Sequence, residues 1–100
     1  MEFDKEFIDS VMREVRVKSE TSRAEATGLA KAAVRDLNIA GVYVTDMKEP
    51  LCERAIKLYC KANYGYDEDS EKFRAAYAAL RDSMALSGDY KKKSGDVDGE

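Results

Sequence analysis

The stretch PLCERAIKLYCKANYG, residues 50–65, decides the fold. Leu51, Ala55, Leu58 and Ala62 recur at i, i+4, i+7 and i+11, and Cys52, Ile56 and Tyr59 form a second stripe beside them. That spacing is helical, and an apolar arc this wide belongs to the most enclosed helix of a bundle. Pro50 suits the first helical position, where its missing N–H costs no hydrogen bond, and Gly65 suits the residue after the last turn.

The same period continues on both sides. Downstream, Phe73, Tyr77, Leu80 and Met84 repeat it, with Asp67, Asp69 or Ser70 available as caps and Ser87-Gly88 as the stop. Upstream, Ser22 with Glu25 three residues later reads as a capping box, and Ala26, Leu29, Ala30, Ala33, Val34 and Leu37 form one stripe. Gly28 in that stretch suggests close packing against a neighbour. At the start, Phe7, Ile8, Val11, Met12 and Val15 share a face, and Asp4 sits where an acidic cap stabilises a helix N-terminus. The pattern predicts an all-α bundle with helices near 4–16, 22–38, 50–64 and 70–86. Its expected core is Leu29, Ala33, Leu37, Leu51, Ala55, Leu58, Phe73, Tyr77 and Leu80.

Two stretches stand apart. In NIAGVYVTDMKE, residues 38–49, Gly41 interrupts and Val42, Tyr43 and Val44 favour extended backbone. Three such residues make no stable sheet alone, so they must cover their own core or meet another chain. The last twelve residues, DYKKKSGDVDGE, have little to bury and predict a mobile tail over 89–100, after a single helical domain at 1–88.

Composition narrows the function. A chain of 100 residues supports one modest core. Its 17 basic and 20 acidic residues give a net charge of −3, unlike the basic face of a dedicated nucleic-acid binder. No apolar run approaches the roughly 20 residues of a spanning helix, and MEFDKEF does not read as a signal peptide, so synthesis in the cytoplasm is expected. Cys52 and Cys60 lie eight residues apart on one helix. That is about 12 Å along the axis, too far for a disulfide, so they read as small buried hydrophobes.

Motifs that carry chemistry are missing. There is no His, hence neither the commonest general base nor the commonest zinc ligand. No phosphate-binding or dinucleotide-binding glycine motif occurs, and no nucleophile elbow. The acidic run from Asp67 fails as a calcium loop, because Lys72 stands where Gly is required and Ala78 where Glu is. No catalytic residue, metal site or cofactor is expected, and the chain does not read as an enzyme. Tyr59, Tyr64 and Tyr66 suit either the core or an interface. Lys91, Lys92 and Lys93 are candidates for contact with a partner or with DNA phosphates, although flanking acids favour a solvated tail.

IAGVYV followed by Pro50-Leu51, the helix AIKLYCKANYGYDEDSEKF (55–73) and the closing AAYAALRDSMALSGDYK (75–91) resemble the small head–tail connector, or adaptor, proteins of tailed bacteriophages and prophages. The earlier helices fit in order and length. The resemblance implies a structural virion protein with no membrane contact, made in the bacterial host cytoplasm and placed at the head–tail interface. About a dozen copies would form a ring on the portal, each face meeting a different face of its neighbour. The ring would seal the DNA channel after packaging, receive a later head–tail joining or stopper protein, and pass DNA without sequence-specific binding.

The subunit contact is expected at Ile39, Val42, Tyr43, Val44 and Met47, with the exposed side of the Asp69–Leu86 helix. Val42–Val44 has no second strand to pair with, and a neighbouring subunit would cover it. The competing reading is that this segment wraps its own core. Two other functions remain open. A DNA-packaging accessory protein like a terminase small subunit would add a DNA-binding region. A small helical DNA-binding regulator would use Arg54, Lys57 and Lys61, but the preceding helix lies 12 residues away, too far for a helix-turn-helix.

Overall fold

The computed structural model describes residues 3–15, 20–63 and 69–91, and these form four helices with no strand among them. They are α1 (Lys5–Val15), α2 (Glu20–Ile39), α3 (Pro50–Asn63) and α4 (Ser70–Ser87). The all-α bundle read from the periodicity is present, with helix ends within two residues of those expected. Ser22 lies inside α2 rather than before it, because the helix starts at Glu20. Its side chain, like Gly65, Tyr64, Tyr66, Asp67, Glu68 and the tail from Lys92 on, falls outside the described residues.

α3 packs against each of the other three helices. Its Cys52, Ala55, Ile56, Leu58, Cys60 and Ala62 are all buried. α2 meets it along Ala26, Ala30, Ala33 and Leu37, spaced i, i+4, i+7 and i+11 and each at 0% exposure. Three alanines in that row bring the backbones close. Phe7, Ile8, Val11 and Met12 supply the contribution of α1, and Tyr77 and Met84 that of α4. No polar or charged side chain is buried among the described residues, so the interior is wholly apolar. α1 begins as the sequence suggests, with the Phe7 N–H donating to Asp4 Oδ1 at 2.7 Å.

Three expectations are corrected here. Leu51 is 43% exposed, not core. Tyr43 and Tyr90 border the Cys52 side of the first α3 turn, which leaves Leu51 on the outer flank. Leu29, Phe73 and Leu80 pack against the core while staying only partly buried. Gly28 faces solvent, and a Cβ built on it meets nothing within 4 Å, so close packing does not explain this glycine. Gly28→Ala is therefore expected to raise stability by about 0.5–1 kcal/mol, read as a higher urea midpoint at unchanged m-value.

Candidate assembly surface

The site is built at the end of the bundle where α2 stops, α3 starts and α4 stops. α2 ends in a Schellman turn. The Val42 N–H donates to Leu37 O at 2.8 Å and the Gly41 N–H to Asn38 O at 3.1 Å, with Gly41 at φ +100°. Gly41 supplies the left-handed backbone this turn needs. Leu37 and Val42, the residues whose side chains meet in such a motif, are both at 0% exposure.

Val42–Val44 then runs over the core of its own chain. The Tyr43 N–H donates to Tyr90 O at 2.6 Å, and the Val44 N–H to Asn38 Oδ1 at 3.3 Å. All three N–H groups are thus satisfied within the monomer. Val42, Val44 and Met47 are buried, at 0%, 5% and 9% exposure. Their expected place at a surface left open for a neighbour is corrected: as the competing reading had it, the segment wraps its own core. Of the five residues proposed for the contact, Ile39 is 74% exposed and Tyr43 half-buried.

Glu49 fixes the α3 end. Its Oε1 accepts from the Leu51 and Cys52 N–H groups at 3.1 and 2.9 Å, capping the helix ahead of Pro50. Its Oε2 accepts from the Tyr90 hydroxyl at 2.8 Å. Burial works to raise the Glu49 carboxyl, but the hydrogen bonds from Cys52, Tyr90 and Leu51 outweigh it and hold the group below its usual value. A depressed carboxyl stabilises the fold above its unfolded-state value, and that contribution is lost as pH falls through the folded-state value. Glu49→Gln is expected to cost about 1 kcal/mol at neutral pH. The gap to wild type should close in acid, as urea titrations across that range would show.

α4 ends at Gly88, φ +85°, and Tyr90 folds back to make the two bonds just described. Tyr90 is thus tied back onto Tyr43 and Glu49, while residues 92–100, most of the expected tail, lie outside the described residues. Both features have a signal in the sequence. Glu49 directly precedes an N1 proline, and Tyr90 is the one aromatic residue in the twelve that close the chain.

The exposed large hydrophobic residues among those described lie on the helix ends that meet here. Ile39 closes α2 at 74% exposure, Leu51 opens α3 at 43%, and Leu86 lies in the last turn of α4 at 87%. A shallow 310 Å³ groove at the same end of the bundle is lined by residues including Tyr43, Glu49, Tyr90 and Lys91. Lys91 is exposed at the groove's edge, while Lys92 and Lys93 lie outside the described residues. Farther along α2, Asp36 accepts from the Tyr77 hydroxyl at 2.5 Å and from Arg81 Nη1 at 3.2 Å, locking α4 to α2.

At the opposite end, α1, α3 and α4 enclose a second groove of 200 Å³. It is lined by Glu14, Arg54, Lys57, Leu58, Lys61, Lys72, Phe73 and Ala76. Lys61 pairs with Glu14 at 3.4 Å and sits 4.6 Å above the Phe73 ring. Lys57 pairs with Glu53 at 2.7 Å.

Cys52 and Cys60 are free and buried as expected, and burial pushes both thiols up to about 12, so neither is a thiolate at neutral pH. No three His, Cys, Asp or Glu side chains among the described residues are placed to hold a metal ion. No described helix is long and apolar enough to cross a membrane.

No protein-family model, curated protein or solved structure matches this chain. The fold and its surface are what bear on function.

Proposed function

We propose that this chain is a structural subunit that assembles head to tail into a ring, as the head–tail connector of a tailed bacteriophage. One observation carries the reading: Ile39, Leu51 and Leu86, the exposed large hydrophobic residues among those described, all lie at one end of a rigidly capped bundle. Apolar side chains scattered singly over a surface need no explanation, but a cluster at one end suits an interface. Tyr43, at the same end of the bundle, adds the amphipathic aromatic favoured at contacts. Toward the other end the described groove between α1, α3 and α4 carries Arg54, Lys57, Lys61 and Lys72, a different surface of the kind a closed head-to-tail ring requires.

The sequence features quoted above, from IAGVYV to LSGDYK, support the connector role in particular. In that role the subunit carries no cofactor and catalyses nothing. It docks on the portal, takes up a later joining protein, and lines a path for DNA with a net charge of −3 that discourages sticking. Native mass spectrometry of the purified chain, alone and mixed with a portal ring, tests the reading. The expected result is a closed oligomer on the portal at a fixed ratio of copies. A chain that remains monomeric under both conditions sinks it.

A further inference from the structure

We propose that the basic groove between α3 and α4 receives the acidic segment Asp96–Glu100 of a neighbouring copy. The inference rests on the ring reading for the presence of that neighbour, and names the second contact that joins the copies.

The groove has cations above an apolar floor. Arg54, Lys57, Lys61 and Lys72 lie around Leu58, Phe73 and Ala76, with Glu14 the one acid in the lining. Lys57 and Lys61 already have acidic partners. Arg54 and Lys72 are exposed and form no ion pair among the described residues, so two cations stand free to meet an anion. Leu58 is 7% exposed and Phe73 half-buried, which gives the floor a hydrophobic character that a bare phosphate would not use.

The chain itself contains a segment of the matching kind. Asp96-Val97-Asp98-Gly99-Glu100 alternates acid, apolar, acid. Its composition offers acidic side chains for the rim cations and one small hydrophobe for the apolar floor.

Charge and geometry favour a neighbour's segment over the chain's own. The last described residue, Lys91, lies beside Glu49 at the apolar end, whereas Lys61 and Lys72 lie at the other. The twelve residues from Glu49 to Lys61 span about 18 Å of helix. Nine residues follow Lys91, a reach of about 30 Å, so length alone does not confine the segment to its own groove. Folding back within one chain would lay Lys91, Lys92 and Lys93 along Arg54, like charge on like. Crossing to the next subunit avoids this, and uses the end that carries Ile39, Leu51 and Leu86.

The test uses the full chain and a labelled peptide of residues 94–100, SGDVDGE, followed by fluorescence anisotropy at low salt. Saturable binding is expected, falling about tenfold for Arg54→Glu with Lys72→Glu, since two exposed ion pairs are lost. Binding should also weaken as salt is raised. Ile39→Asp with Leu86→Asp should leave peptide binding intact, so a failed ring reading and a failed groove reading give different results. No saturable binding, or binding indifferent to the groove substitutions, overturns the proposal. So does a short DNA duplex that displaces the peptide and loses affinity with the same substitutions.

A mixing experiment then separates neighbour from self. The groove-reversed chain and a chain carrying Asp96→Lys, Asp98→Lys and Glu100→Lys should each assemble poorly alone and regain assembly when mixed. Assembly that fails to return on mixing, yet returns when both sets of changes are placed in one chain, assigns the segment to its own groove and overturns docking between copies.

Discussion

Val42→Asp unfolds the isolated chain at neutral pH. Val42 is at 0% exposure, its N–H closes the Schellman turn on Leu37, and among the described residues no polar or charged side chain shares the core with it. An aspartate there must stay charged with no partner, or bind a proton at neutral pH, or push its way out and open the end of α2. Losing the valine contacts alone costs about 1.5–3 kcal/mol, and the buried polar group adds several more. The total equals or exceeds the 5–15 kcal/mol that holds a small domain together at its lower end. Circular dichroism should show the helix signal lost before any denaturant is added. A variant that keeps a native melting transition would mean that Val42 does not belong to the core.

That result differs from what the residues alone suggested for the same position. Val42, Tyr43 and Val44 are strand formers without a partner strand, and from sequence a surface awaiting a neighbour was a fair inference. What the sequence conceals is how their backbone is satisfied. The three acceptors come from Leu37, from the Asn38 side chain and from Tyr90, the last separated from Tyr43 by 47 residues. No local pattern announces a bond of that range. Helices are different, because their signal is local: the apolar stripes of α2 and α3 lie in residues three and four apart, and their ends in Gly41 and Pro50. Two stripes on α3 could both be read as core, however, and only tertiary placement shows that Cys52 turns inward and Leu51 outward. The exposed trio was half legible. The segment around Gly41 points to Ile39 through its neighbours, whereas the helical period places Leu51 inside and Leu86 only at the end of an exposed helix face.

Ile39→Asp combined with Leu86→Asp abolishes ring formation while leaving the monomer as stable as before. At 74% and 87% exposure, neither side chain has much burial to lose within its own chain. Surface substitutions of this kind usually move stability by less than about 0.5 kcal/mol. In an assembled ring the same two side chains would be desolvated against the next subunit, and a central apolar pair truncated or charged commonly costs 2 kcal/mol or more at each contact. Every copy in a closed ring makes that contact, so the losses multiply around the circle and assembly fails outright. Tyr43→Ala should act in the same direction but less strongly, because half of its ring is already covered by its own chain. The measurement pairs a urea melt of the monomer with native mass spectrometry in the presence of portal. An unchanged melt with no ring places the subunit contact at the apolar end. An unchanged melt with a normal ring moves the contact elsewhere, and a lowered melt returns Ile39 and Leu86 to the fold of the monomer.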